Sequence, residues 1–337
     1  MKIARYTAYG GPETIAFEDA PIPSPAAGEL LIRVCAAPVT AGDVRLRSGK
    51  VPRGLGLILR LALGLRRPRV APGMAFAGEV AALGQGVAAF AMGQRVFGLT
   101  GMTGGAHRDY LVIMADSTVL PLPDSLSFEA GAAFFFGGLT AAEFLIDRAK
   151  LAPGERLLVA GATGAVGSAA VQIGRHLGAT VSATASPKNH DLARRLGAVD
   201  VCDYRTGTPP GPFDVILDVM GSLGWADARP LLAPGGRLAL VTADLSEMLG
   251  VGLRPHRGGR TILTGTNKDD LSSMKRLLAL HLAGAYSPIL GAILPFDRLI
   301  DAHALADSFH KPGNLVVVMS TTVTDDRERV GTGGARD

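Results

Sequence analysis

Residues 156–167 read RLLVAGATGAVG, and this stretch decides the fold. The run 156–160 is apolar, short and stopped by Gly161, which reads as a buried strand. Beyond it the chain is again apolar and predicts a helix over 164–177. Between the two stand Gly161, Thr163, Gly164, Ala165, Val166 and Gly167. Glycine lets backbone approach a pyrophosphate, and a helix N-terminus supplies unbonded N–H groups and a partial positive charge. The last glycine lets the helix pack closely on its strand. Ala162 occupies the first glycine position of the G-x-G-x-x-G form, so the motif departs from it. A tight strand-to-helix turn alone would also use glycines. The strand before and the helix after give the context that dinucleotide binding requires.

Strands and helices alternate outward from this stretch. TVSATA (180–185), DVILDVMG (214–221), RLALVT (237–242) and TILTGT (261–266) read as strands, and 189–196 as a helix. Phe128–Ala149 reads as one long helix, 270–284 and 301–309 as two more, and LVVVM (315–319) as a last strand. Continuous apolar strands alternating with helices predict a doubly wound parallel sheet of the Rossmann kind, in the α/β class. Before residue 120 the pattern differs. Leu30–Ala36, Gly78–Ala82 and Arg95–Phe97 are short strands between Gly- and Pro-rich turns.

The end of the second strand of such a sheet meets the adenosine ribose. NAD binders place a carboxylate there, about 20 residues after the glycines. This chain has Ser186 and Lys188 instead, and its nearest acid, Asp191, falls inside the next helix. A hydroxyl and an ammonium suit a 2′-phosphate, so NADPH is the expected cofactor.

Composition excludes several classes. With 337 residues, 47% of them apolar, the chain is long enough for two domains and too apolar for disorder. Two cysteines, Cys35 and Cys202, cannot make a disulfide framework. The apolar stretch 54–65 is interrupted by Arg60 and falls short of the ~20 residues of a membrane span. With no secretory h-region at the N-terminus, a cytoplasmic protein without membrane contact is expected. The net charge of +4 comes largely from 45–69, which carries eight basic residues and no acid. That is weak support for nucleic acid. The segment reads either as a mobile lid over a cleft or as a fixed helix with a packed apolar face. The polar tail 321–337 is expected to be disordered.

Several segments together resemble the medium-chain dehydrogenase/reductase superfamily, in its zinc-independent quinone oxidoreductase group. They are YGGPE (9–13), VTAGDVRLRSG (39–49), PGMAFAGEV (72–80), GGLTAAEFL (137–145), GATGAVG (161–167), LGAVDVCDY (196–204), LDVMG (217–221) and GNLVVV (313–318). The resemblance implies a discontinuous, mainly β GroES-like catalytic domain, 1–127 with 268–320, around a nucleotide domain, 128–267. It implies reduction of a quinone or enone by hydride transfer, with Thr40, Asp43 and Thr140 lining the catalytic site. It adds Tyr204, Val241, Gly265 and Asn314 to the cofactor contacts, and a homodimer through Thr261–Thr266. Zinc-dependent relatives carry Cys and Gly-His-Glu where this chain has Thr40 and Gly73-Met74-Ala75, so no metal is expected. Relatives often have Asn at the Thr40 position and Tyr near Val51, and both are missing here. Tyr110 reads as a strand residue, and His303 and His310 as solvated faces of a surface helix. A non-catalytic NADPH-binding or RNA-binding role on the same fold is the alternative.

Overall fold

The computed structural model describes residues 1–50, 56–243, 259–308 and 311–319. The tail 321–337, His310 and residues 51–55 of the basic segment lie outside the described residues. Among the described residues fifteen strands run in chain order as β1 (Lys2–Tyr6), β2 (Ile15–Asp19), β3 (Glu29–Val39), β4 (Ala75–Leu83), β5 (Arg95–Leu99), β6 (Tyr110–Met114), β7 (Val119–Pro121), β8 (Arg156–Ala160), β9 (Thr180–Ala185), β10 (Asp200–Asp203), β11 (Phe213–Asp218), β12 (Leu232–Leu240), β13 (Thr261–Leu263), β14 (Leu290–Pro295) and β15 (Asn314–Val318).

Strands β8 to β13 form a six-stranded sheet in the order β10-β9-β8-β11-β12-β13, with every neighbouring pair parallel. Strand order reverses between β8 and β11, which is where such sheets open a ligand crevice at their carboxyl ends. Residues of β8 alternate between two cores. Leu157 and Val159 join the core under the helices Phe134–Ala142 and Ala165–His176, while Leu158 joins Phe213, Ile216 and Leu238 on the other face. Both faces are therefore covered, which explains why β8 reads as an unbroken apolar run.

The remaining strands are mainly antiparallel. A seven-stranded sheet runs β14-β15-β3-β4-β5-β7, with β6 also on β3, and β1 and β2 form a separate hairpin. Strands β14 and β15 come from the far end of the chain and join β3 through the β15 edge. The β-rich unit is thus discontinuous in sequence.

Two expectations need correction. The stretch 128–149 is not one helix. It is broken into Phe128–Ala132, Phe134–Ala142 and a π-type turn over Glu143–Arg148. Helix Phe134–Ala142 lies so close to its neighbours that a methyl at Gly137 would strike the Ala165 carbonyl, and one at Gly138 would press on Leu277 and Tyr286. The π-type turn buries Glu143 and places it 3.1 Å from Arg148. Nor is His303 solvated: it is fully buried in the helix Leu299–Asp307, edge-on to Tyr6 and His107.

Candidate active site

The loop after β8 leaves through Gly161 at φ 86°, a left-handed conformation that favours glycine. A methyl at Gly167 would strike the Gly161 carbonyl, so helix Ala165–His176 can lie this close only with glycine there. Gly164 is the N-cap of that helix and offers no side-chain bond to the first-turn N–H groups. A methyl at Gly164 would meet no atom within 4 Å. No side chain therefore satisfies the first-turn N–H groups of this helix, which is the kind of cradle a pyrophosphate uses. Thr184 steadies the loop by accepting from Gly161 N at 3.2 Å through its hydroxyl and from Ala162 N at 3.0 Å through its carbonyl.

Strand β9 ends at Ala185, and Ser186 and Lys188 follow in a short turn. Lys188 is exposed, and neither side chain is bonded among the described residues. Asn189 Nδ2 reaches Thr163 Oγ1 at 3.4 Å and ties this turn to the glycine loop. Tyr204, half-exposed after β10, carries Arg205 over its ring at 5.3 Å. Val241 follows β12 and donates its N–H to Asp218 O. Gly265 packs on the Arg148 guanidinium, which in turn donates to Thr264 O at 2.8 Å and Thr266 O at 2.7 Å. The strand expected over 261–266 accordingly stops at Leu263. Asn314 is buried, and its side chain donates to Ile289 O at 3.1 Å.

Thr40 and Asp43 are brought together at the start of helix Ala41–Ser48 as a capping box. Thr40 N and Oγ1 donate to Asp43 Oδ2 at 2.9 and 2.6 Å, and Gly73 N donates to Asp43 Oδ1 at 2.9 Å. Both carboxylate oxygens are thus occupied, and Asp43 locks the Thr40 and Gly73 segments together. Next to them, a methyl at Gly42 would lie 2.9 Å from Met74 Sδ and 3.5 Å from Phe136. Met74 and Phe136 are half-buried and form an apolar wall. Thr140 Oγ1 donates back to Phe136 O at 2.8 Å and lies 3.3 Å from Asn267 Oδ1. Tyr110 sits in β6 opposite Arg33, as a strand residue.

Behind Asp43 lies a buried polar cluster that sequence reasoning missed. Fully buried Arg47 donates to Gly10 O at 2.6 Å and pairs with Asp307 at 2.5 Å. His107 Nε2 meets Pro38 O at 3.0 Å, while its Nδ1 and both ring nitrogens of His303 have no partner among the described residues. Burial holds His107 below the usual histidine range against the opposing pull of Asp43, and burial, with His107 and Arg47 nearby, holds His303 well below it too. Both rings are neutral at neutral pH.

The donor set does not fit a catalytic zinc. Thr40 has committed its hydroxyl to Asp43, Met74 offers a thioether, and Ala75 offers nothing. Among the described residues no three His, Cys, Asp or Glu side chains group as metal ligands. No described helix is long and apolar enough to cross a membrane.

Comparison with known proteins agrees with this geometry. The family described as "Alcohol dehydrogenase GroES-like domain" matches residues 26–124, and "Zinc-binding dehydrogenase" matches 196–317. Quinone oxidoreductase of Rattus norvegicus is 29% identical over 332 residues, covering 94% of this chain and 96% of that protein. The spectinabilin polyketide synthase system protein NorB of Streptomyces orinoci is 40% identical over 225 residues, 62% of this chain but 10% of that protein. The structure of the quinone oxidoreductase from Coxiella burnetii superposes with a TM-score of 0.82 at 25% identity, covering 95% of this chain and 99% of that one. With its Rossmann sheet, its GroES-like unit and end-to-end similarity to these oxidoreductases, the chain belongs to the medium-chain dehydrogenase/reductase superfamily, in its quinone oxidoreductase group.

Proposed function

We propose that this chain is an NADPH-dependent, zinc-independent reductase of quinones or α,β-unsaturated carbonyl compounds. One observation carries the cofactor: an uncapped helix N-terminus at the switch point of a parallel sheet, followed by a β9 end that bears Ser186 and Lys188 and no carboxylate. The quinone oxidoreductase relatives support the substrate class. In this reading 1–127 and 268–320 form the catalytic unit around the nucleotide unit 128–267. The edge strand β13 pairs two copies into a homodimer in solution.

When bound, the cofactor supplies a hydride to the carbon β to the substrate carbonyl. The chain itself supplies placement, exclusion of water and charge stabilisation. Met74 and Phe136 give the substrate an apolar wall. Thr40 and Thr140 place hydroxyls beside it, but each now donates inward, to Asp43 Oδ2 and Phe136 O. Either must turn its proton outward to stabilise charge growing on the carbonyl oxygen. The α-carbon takes its proton from water or from a mobile side chain.

The same inward commitment supports a second reading, a protein that binds NADPH without turning it over. Initial rates of NADPH consumption across a panel of quinones and enones separate the two. Saturable consumption, faster with NADPH than with NADH, is expected. Tight binding without consumption would leave the second reading standing.

A further inference from the structure

The chain returns to the glycine loop from an unexpected side. Residues Lys311-Pro312-Gly313-Asn314 lead into β15, and Gly313 meets Gly164 in an isolated bridge. Gly313 N donates to Thr163 O at 2.7 Å. Gly313 adopts φ 58° and a methyl there would strike the Ile289 carbonyl, so the segment is wedged between 289–291 and the loop. Against it lies Lys311, whose Nζ reaches Gly313 O at 3.3 Å. No carboxylate pairs with this ammonium among the described residues, and none of the segments 161–167, 289–291 and 314–318 carries a titratable side chain. Burial alone holds Lys311 down at about 8. A largely buried cation without a counter-charge is expensive, and through Gly313 this one stands beside the N-terminus of helix Ala165–His176, which no side chain caps.

We propose that Lys311 grips the pyrophosphate of the bound dinucleotide from the β-rich unit, so that the two phosphates are held between it and the N-terminus of helix Ala165–His176. This deepens the dinucleotide reading above and rests on it. Lys311 is assigned to the part common to NADPH and NADH, unlike Lys188, which is assigned to the 2′-phosphate.

The test is fluorescence titration of NADPH and NADH into wild type, Lys311→Met and Lys311→Arg, with calorimetry in buffers of different ionisation enthalpy. Loss of one charge-assisted bond corresponds to roughly ten- to a hundred-fold in Kd. Lys311→Met is expected to weaken both dinucleotides by the same factor, and Lys311→Arg to keep most of the affinity. Wild type is expected to take up a proton on binding above pH 8, and Lys311→Arg is not, because arginine stays charged. If Lys311→Met does not fold, the arginine variant and the proton count decide. Unchanged affinity in Lys311→Met, loss for NADPH alone, or equal proton uptake in wild type and Lys311→Arg would overturn the proposal while leaving dinucleotide binding intact. Failure of wild type to bind either dinucleotide would instead remove the reading beneath it, and this proposal with it.

Discussion

Two helices begin on either side of Phe136 and Gly137, and their N-termini are capped in opposite ways. Helix Ala41–Ser48 starts at Thr40 with a complete capping box, and its carboxylate is further bonded to Gly73 N. Helix Ala165–His176 starts at Gly164 with no side-chain cap. Phe136 and Gly137 lie between the two, touching the Gly42 side with one residue and the Ala165 side with the next. A capped terminus has satisfied its own donors and serves as scaffold. An open one keeps its N–H groups and its partial charge for a ligand. On the proposed function, the cofactor wall would work through backbone and the opposite wall through shape.

The largest effect should come from the glycines of the open terminus, which separate packing from binding. Gly167→Val forces a side chain into the Gly161 carbonyl, so a stability loss of about 3 kcal/mol or more is expected in chemical denaturation. Gly164→Ala meets no protein atom, so its melting temperature should stay near wild type. Its NADPH Kd should nevertheless rise about ten-fold or more, because the methyl stands where phosphate would lie. Equal loss of stability in both variants would erase the contrast.

The capped terminus should behave in reverse. Asp43→Ala removes a cap that is typically worth about 1 kcal/mol. It also orphans the Gly73 N–H, at about 1–3 kcal/mol. Denaturation should therefore show a large stability loss, while NADPH affinity in the folded protein stays within about two-fold of wild type. A specific loss of dinucleotide affinity would show that the box reaches the cofactor wall after all.

A third measurement sharpens the cofactor side. Lys188→Ala should lower the preference for NADPH over NADH by roughly ten- to a hundred-fold, since a bond to a charged group is worth about 1.5–3 kcal/mol. Titration of both dinucleotides gives the ratio, and an unchanged ratio would remove Lys188 from the 2′-phosphate.

The smallest effect concerns the histidines behind the capped terminus. Burial depresses both His107 and His303 in the folded chain, so below the ordinary pKa of about 6.5 the unfolded chain binds more protons. Stability is then full above about pH 6.5 and falls as pH drops toward the folded values, by at most about 1.4 kcal/mol per pH unit for each ring. His303→Phe should flatten this slope in denaturation midpoints measured from pH 7 to 5. An unaltered slope would place the titrating group elsewhere.

The open terminus was legible in the sequence, and the capped one only as a resemblance. What marks the loop is local: β8, three glycines and the start of the helix follow one another within 156–176. Thr40 and Asp43 could be named, but the partner of Asp43, Gly73 N, lies 30 residues away, so their mutual satisfaction had no local signal. His303 has an unremarkable helix around it, and only the fold brings Tyr6 and His107 against it. Lys311 meets the loop through Gly313 and Thr163, which stand 150 residues apart in the chain. The basic segment gave a mixed result. Leu57 and Leu61 are 68% and 66% exposed, which supports the proposal of a cover for the cleft at these two leucines.

The proposed function requires hydride delivery from a cofactor held at Gly164 to a substrate resting on Met74 and Phe136. The most direct measurement uses NADPH deuterated at nicotinamide C4 with a turnover-competent enone, followed by mass spectrometry and NMR of the product. Deuterium is expected on one face of the carbon β to the carbonyl, with the α-carbon proton taken from solvent. Product without deuterium at that carbon, or deuterium distributed over both faces, would contradict reduction in a structured cleft.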